Sequence, residues 1–230
     1  MTTTAAAVLA LTVALDWLAV SRQWARVEQV AKPLVMVALG WLALTMGALT
    51  SGAVTSGAVT SGAVTSAATH PATGRLLLVA VLFSLIGDVF LLGRTAVRFA
   101  GGLVSFLVAH IAYVAAFLAQ GFHPLWALPG LLVALPLGAI SGRRIVRAAT
   151  REGGAALGGA VTTYMVVIVA MVATAGGTAR PIVLLGALIF LVSDTVLATD
   201  RFVGPRAHAR IVVMVTYHLG QVLMVVGALR

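Results

Sequence analysis

Long apolar runs, separated by short polar segments, dominate the hydrophobic pattern of this chain. A helix needs about 20 mostly apolar residues to cross a bilayer, with a range of roughly 17 to 25. The pattern therefore predicts an all-α integral membrane protein with eight transmembrane helices, and residues 1–230 form a single membrane-embedded domain. The predicted helices cover about 4–20, 33–50, 75–93, 100–119, 125–141, 155–175, 181–199 and 210–229.

Prolines and one repeat refine these boundaries. Lys32 and Pro33 are predicted to open the second helix, because proline is favourable in a first helical turn. Pro129 and Pro136 predict a kink in the fifth helix. Residues 50–70 hold a low-complexity Thr-Ser-Gly-Ala-Val repeat, for which we expect a loop without a catalytic role, since glycine and β-branched residues form poor helices.

Two of the predicted spans contain an aspartate inside apolar sequence. In both, a small residue precedes the aspartate (Asp88 or Asp194) and a leucine follows it three positions later. His110 follows the first aspartate by 22 residues, and His218 follows the second by 24. This order predicts an internal parallel repeat of helices 3–4 and 7–8. An aspartate near the centre of a span costs roughly 2.5–3.5 kcal/mol, so both carboxyl groups are candidate functional groups.

The composition agrees with a polytopic membrane protein. Hydrophobic residues make up 61% of the chain and charged residues 9%, whereas a soluble domain carries about 25% charged residues. The net charge of +9 does not indicate nucleic-acid binding, because the basic residues lie in short loops between apolar runs. The absence of cysteine excludes disulfides and thiolate chemistry.

The basic residues also predict the topology. With the N-terminus outside, only Arg75, Arg180 and Arg230 of the 15 lysines and arginines fall in outside segments. Because positive residues concentrate on the cytoplasmic side, both termini are predicted outside a cell (inner) membrane that the chain crosses several times.

The polar residues within the spans converge at one depth. Asp16, Asp88 and Asp194 each lie six residues before a charged residue at a cytoplasmic helix end, or about 9 Å at 1.5 Å per residue. The same arithmetic places His110 and His218 roughly 12–18 Å deep. We expect these groups to share a site in the cytoplasmic half of the bundle.

Neighbouring polar residues extend this candidate site. Tyr113 lies three residues after His110 and Gln221 three after His218, so each pair shares a helix face. Lys32 is predicted to mark the cytoplasmic rim. The candidate catalytic residues are Asp88, Asp194, His110 and His218. The candidate substrate-binding residues are Lys32, Tyr113, Tyr217, Gln221 and Asp16.

These motifs together resemble those of a known family. Over nearly its whole length the chain resembles the YhhN-type membrane proteins, the lysoplasmalogenase family, through Gly-Asp88, His110-x-x-Tyr113, Ser-Asp194 and Tyr217-His218-x-x-Gln221. The resemblance implies a membrane hydrolase that cleaves the vinyl ether bond of lysoplasmalogen to a fatty aldehyde and a glycerophospho-base. It implies a lysophospholipid substrate and a lipid bilayer as partners, with no nucleic acid and no cofactor.

The residues suit that chemistry. Vinyl ether hydrolysis begins with proton transfer to the β-carbon, which creates an oxocarbenium ion that water then attacks. Two carboxyl groups can divide this work, one as the acid and one as the ionised partner, as they do in glycosidases. A histidine can relay the proton or activate water. The sequence does not assign which aspartate is the acid.

Other interpretations remain open at this stage. The two aspartates and two histidines could ligate zinc in a ceramidase-like hydrolase, or serve a proton-coupled transporter. Asp88 and Asp194 could also be a structural pair that locks two helices together. Tyr164 is interpreted as a packing aromatic residue, and Ser193 as a small residue for close helix packing.

Overall fold

A computed structural model describes residues 1–49, 71–93 and 95–230, so the predicted loop at 50–70 lies outside the described residues. The described residues are helical, without strands, which confirms the all-α prediction. Their helices are α1 (Thr2–Ser21), α2 (Ala25–Thr45), α3 (Pro71–Leu91), α4 (Ala96–Leu118), α5 (Pro124–Leu137), α6 (Arg143–Gly177), α7 (Pro181–Ala198) and α8 (Ala209–Leu229).

Seven helical stretches in the described part of the chain are long and apolar enough to cross a membrane, so the protein is a multi-pass membrane protein. The predicted count of eight is not reproduced, because α5 and α6 form one continuous stretch, Pro124–Gly177. A π-helical turn, Gly138–Gly142, joins them shortly after Pro136.

The stretch from α5 to α6 folds back on itself. Gly153 and Gly154 leave helical geometry, and Gly154 has a φ of +67°, which favours glycine. On either side of this break the helices pack antiparallel, so that Gly130 lies against Val172 and Gly176 against Trp126. The chain therefore reverses direction at the two glycines.

The second helix begins earlier than predicted. It starts at Ala25, so Pro33 lies inside the helix and not in its first turn. The residues before Pro33 include Arg26, Glu28 and Gln29, which are good helix formers. In membrane helices, neighbouring groups compensate for the hydrogen bond that proline removes. This shift places Lys32 within the bundle, where its side chain is buried, and corrects its predicted place at the rim.

Neighbouring helices pack as antiparallel hairpins around one core. The most extensive contacts join α7 to α8, α3 to α4 and α1 to α2. Glycines allow these helices to approach closely: a Cβ on Gly220 would lie 3.0 Å from the carbonyl oxygen of Gly186. A Cβ on Gly87 would meet the ring of Phe106 at 2.6 Å. These contacts bring the aspartates of α3 and α7 close to α4 and α8.

Candidate active site

A cavity of about 650 Å³ opens between α2, α3, α7 and α8. Its inner wall carries one predicted site residue from each of these helices: Lys32, Asp88, Asp194 and Tyr217. Its outer part carries charges of both signs, supplied by Glu28, Asp200, Arg201 and Arg210. The cavity thus joins a charged opening to two carboxyl groups within the bundle.

Asp88 lies between a cation and a hydroxyl group. The Nζ atom of Lys32 lies 3.3 Å from Asp88 Oδ1, and the Tyr217 hydroxyl donates to Asp88 Oδ2 at 2.8 Å. The Asp88 side chain is 1% exposed. A buried charge is tolerated when an opposite charge and hydrogen bonds compensate it, so this environment favours the ionised carboxylate.

Tyr113 and Gln221 extend the polar network behind this site. The Tyr113 hydroxyl donates to Gln221 Oε1, and Gln221 Nε2 donates to the hydroxyl of Ser84 at 2.8 Å. All three side chains are buried. Ser84 lies one helical turn before Asp88, so these bonds connect α4 and α8 to the segment of α3 that carries the aspartate.

Asp194 has uncharged partners. The Tyr164 hydroxyl donates to Asp194 Oδ2 at 2.6 Å, and His110 Nε2 lies 3.6 Å from the same oxygen. His110 Nδ1 lies 2.5 Å from the carbonyl oxygen of Phe106. Because a carbonyl only accepts hydrogen bonds, Nδ1 carries a hydrogen, and Nε2 of a neutral His110 faces Asp194 with its lone pair. At 3.6 Å the two groups form no hydrogen bond, and their lone pairs would repel each other unless one of the two groups is protonated.

Aromatic rings separate the two carboxyl environments. Phe190 contacts both His110 and Tyr217, with ring centroids 5.0 and 5.5 Å apart. Phe106 also packs edge-to-face on Tyr217, at 5.7 Å. Phe190 therefore lies between groups that belong to different aspartates, and it fixes their relative orientation.

His218 lies apart from the cavity that Asp88 and Asp194 share. Trp17 Nε1 donates to His218 Nδ1 at 3.1 Å, so Nδ1 is an acceptor. Asp16 Oδ2 lies 3.9 Å from the same nitrogen, but this contact is no ion pair while Nδ1 accepts from tryptophan. Among the described residues, neither carboxyl oxygen of Asp16 has a hydrogen-bond partner, and the same holds for His218 Nε2.

The opening of the cavity is organised by ion pairs. Arg201 binds both carboxyl oxygens of Glu152, at 2.9 and 2.5 Å, and Arg210 lies 2.5 Å from Glu28. The Arg201 guanidinium also lies over the ring of Phe99, 4.9 Å from its centroid. The arginines at the opening are therefore held at defined positions.

The comparison with protein families decides what kind of protein carries this site. The model of the YhhN family matches residues 27–228, which includes Asp88, Asp194, both histidines and Lys32. The chain belongs to the YhhN family. The resemblance predicted from the sequence motifs is thereby confirmed.

Known relatives of this YhhN protein include named enzymes. It is 32% identical to lysoplasmalogenase TMEM86A of Bos taurus over 70% of this chain and 67% of that protein. It is 37% identical to lysoplasmalogenase TMEM86B of Homo sapiens over 68% of this chain and 64% of that protein. The chain thus spans about two thirds of the length of these relatives. No solved structure matches it.

Two residues form hydrogen bonds to candidate site residues but could not be recognised as such from the sequence. Tyr164 packs against the core, as interpreted, and it also donates a hydrogen bond to Asp194, which the sequence did not predict. Trp17, in the first apolar run, donates to His218. Tyrosine and tryptophan are common in apolar segments, and only their partners on other helices distinguish these two. Ser193 donates to the carbonyl oxygen of Val213 and so also bonds α7 to α8.

The candidate ligands for zinc do not converge. Within residues 1–49, 71–93 and 95–230, no group of three or more histidine, cysteine, aspartate or glutamate side chains is close enough to hold a metal ion. Asp88 pairs with Lys32, whereas Asp194 faces Tyr164 and His110. The zinc alternative therefore lacks a ligand set in this part of the chain.

Proposed function

We propose that this YhhN protein is a membrane hydrolase that cleaves the vinyl ether bond of lysoplasmalogen to a fatty aldehyde and a glycerophospho-base. The similarity to named lysoplasmalogenases supports the activity. The observation that carries the mechanism is that a buried carboxyl group, Asp88, and a partly buried one, Asp194, line one cavity and have different partners. Protonating a carbon atom and then activating water needs one acid and one ionised carboxylate.

Asp194 acts as the acid. The Asp194–His110 pair holds one proton, because no cation other than a protonated His110 contacts this carboxyl group among the described residues. That proton passes to the β-carbon of the vinyl ether, and the ether oxygen becomes part of an oxocarbenium ion. The Asp194 carboxylate left behind stabilises the cation, and Tyr164 holds that carboxylate in position.

Asp88 acts as the ionised partner. Its Oδ1 atom faces Lys32 at 3.3 Å and makes no hydrogen bond to a described residue, so it can accept a proton from water. Water adds to the oxocarbenium ion, and Asp88 takes the released proton. The hemiacetal then collapses: its hydroxyl proton returns to Asp194, and Asp88 protonates the departing glycerol oxygen. Both carboxyl groups regain their starting states.

The remaining candidate residues position the site. Tyr217 orients Asp88, and Tyr113 with Gln221 braces the helix turn that carries it. Lys32 keeps Asp88 ionised. We assign His218 and Asp16 to a separate polar contact between α8 and α1, outside the cavity.

The cavity opening fits a zwitterionic head group. Arg201 and Arg210 supply charge for a phosphate, and Glu28 and Asp200 supply charge for an amine. Such a head group would lie at the polar end of the cavity, with the rest of the lipid directed toward the two carboxyl groups.

The proposed topology has eight crossings of a cell (inner) membrane, with both termini outside and the site in the cytoplasmic half. The antiparallel packing about Gly153 and Gly154 supports the even count. The Thr2 hydroxyl also donates to the carbonyl oxygen of Thr45, so α1 begins where α2 ends.

Aldehyde release from a synthetic lysoplasmalogen by the purified protein tests the proposal. We expect release that survives a chelator and is lost in Asp194→Asn. Glu152→Gln makes the same carboxyl-to-amide change outside the cavity. Because it releases Arg201 at the opening, it should change KM and leave kcat close to wild type, whereas Asp194→Asn should lower kcat. Release that disappears with chelator and returns with zinc would overturn the acid mechanism. No release from any lysoplasmalogen would overturn the proposed substrate and direct the assay to other lysolipids and amides.

A further inference from the structure

A second cavity lies behind Asp194. It has a volume of about 80 Å³ and lies between α4, the π-helical turn, α6 and α7. Its lining is almost entirely apolar; Asp194 and Tyr164 contribute its main polar groups. On α6 the lining residues Val161, Met165, Ile168 and Val169 recur at helical spacing and form one stripe. That stripe extends about 12 Å along the helix axis at 1.5 Å per residue.

The apolar cavity adjoins the charged one. Five residues line both: Leu91, Phe99, Phe106, Asp194 and Leu197. Asp194 is the one acidic residue among the five. A molecule that occupies both spaces therefore passes Asp194 at the point where its polar part meets its apolar part.

We propose that the apolar cavity takes the first carbons of the alkenyl chain of a single-chain lipid, whose polar part occupies the charged cavity. This inference rests on the proposed function and names how that substrate lies in the site. In a lysoplasmalogen the vinyl ether joins the glycerol part to the hydrocarbon chain, so this arrangement places the reacting bond at Asp194. The chain-length preference is then set by α6 and the π-helical turn.

The lining can adapt to a chain. The apolar cavity's volume of about 80 Å³ is small beside the about 650 Å³ of the charged cavity, so only the start of a chain fits without movement. Met165 lies against the π-helical turn, where a Cβ on Gly142 would meet its terminal carbon. Methionine is unbranched and fills irregular space, so its side chain can move aside as the chain enters.

Two matched variants on α6 test the arrangement. Val169→Phe fills the cavity, whereas Val166→Phe makes the same change at a position that is 64% exposed and does not line the cavity. The measurement is kcat/KM for lysoplasmalogens with a short and a long alkenyl chain. Val169→Phe should lower kcat/KM at least about tenfold for both substrates, because it fills the space of the first carbons, which both chains have, and a hydrophobic pocket discriminates one methylene by roughly 10- to 200-fold. Val166→Phe should keep the wild-type kcat/KM for both.

Met165→Ala provides the opposite test, because it enlarges the cavity. It should raise the ratio of kcat/KM for the long chain to that for the short chain, because a longer chain can then extend past position 165. If Val169→Phe loses no more activity than Val166→Phe, and Met165→Ala keeps the wild-type ratio, the chain does not lie in this cavity, while aldehyde release would leave the proposed function standing.

A photoreactive lysophospholipid, with a diazirine near the start of its chain, tests the arrangement without turnover. Crosslinks to α6 between Val161 and Val169 support it even if the wild type releases no aldehyde. Crosslinks confined to residues that do not line this cavity would overturn it. A failure of the proposed function and a failure of this substrate arrangement are therefore distinguishable.

Discussion

Asp88 and Asp194 have similar sequence surroundings and line the same cavity, but their partners differ. Asp88 faces the ammonium group of Lys32 and is 1% exposed, whereas Asp194 faces a phenol and an imidazole and is 14% exposed. A neighbouring cation favours the charged form of a carboxyl group. This difference supports the proposed roles, which the sequence leaves unassigned: Asp88 as the ionised carboxylate and Asp194 as the proton donor.

The partners also cross between the two helix pairs. Asp88 on α3 bonds to Tyr217 on α8, and Asp194 on α7 faces His110 on α4. Each site thus needs both halves of the bundle. The following variants test whether the two carboxyl groups differ as their partners indicate.

The largest expected effect comes from Asp194→Asn. Asparagine keeps the shape of the side chain and can still accept from Tyr164, but it cannot donate a proton to carbon. We expect kcat to fall by roughly 10²- to 10⁴-fold, the usual contribution of a general acid. Thermal stability in detergent should stay close to wild type. Near-normal aldehyde release by this variant would refute the assignment of Asp194.

Asp88→Asn should also abolish most turnover, but with a second effect. It leaves Lys32 buried without its counter-charge, and breaking a buried pair costs about 3 to 5 kcal/mol. We expect a lower Tm than for Asp194→Asn, although the protein remains folded in detergent. Lys32→Met combined with Asp88→Asn should recover Tm without recovering activity. Equal Tm values for the two single aspartate variants would show that the carboxyl environments do not differ in charge.

The tyrosines give a smaller contrast. Tyr164→Phe removes the hydroxyl that donates a hydrogen bond to Asp194. Tyr217→Phe removes the corresponding bond to Asp88, but the contact of Asp88 with Lys32 remains. A hydrogen bond to a charged group contributes about 1.5–3 kcal/mol, so Tyr164→Phe should lower kcat by roughly 10- to 100-fold. Tyr217→Phe should lower kcat less. The reverse order would assign the developing charge to Asp88.

The histidines should differ least. His110→Gln removes the group that shares a proton with Asp194, so kcat should fall several-fold. His218→Gln, by contrast, changes a residue that contacts Trp17 and Asp16, outside the shared cavity. We expect its effect on kcat to be smaller than that of His110→Gln. A larger effect of His218→Gln, measured in the same assay, would place the catalytic proton on the Asp16 side.

The free-energy cost of burying a charge, and the fixed rise per residue of a helix, explain which features the sequence could predict. An aspartate in an apolar run is conspicuous, and this alone singles out Asp88 and Asp194. Counting residues from the charged helix ends places both at one depth. Helix spans follow from apolar length, but two of them begin earlier than predicted. The pattern favours a first-turn position for Pro33, whereas this proline lies inside α2. The sixth helix begins at Arg143, in a segment that the pattern leaves between helices.

Pairings between helices could not be predicted. The ion pair of Lys32 with Asp88 depends on how α2 is rotated against α3, and periodicity leaves that rotation open. The hydroxyl of Tyr164 and the indole of Trp17 act through partners on other helices. The sequence of one apolar run does not indicate which residue of another helix will contact it. The division between acid and carboxylate rests on these contacts, so it depends on the three-dimensional arrangement of the helices.

Hydrolysis in D₂O tests the central claim most directly. If Asp194 delivers a solvent-exchangeable proton to the β-carbon, the fatty aldehyde, trapped at once with borohydride, carries one deuterium on the carbon next to its carbonyl. Turnover should also be slower in D₂O than in water. An aldehyde without deuterium at that carbon would contradict carbon protonation, and with it the assignment of Asp194 as the acid.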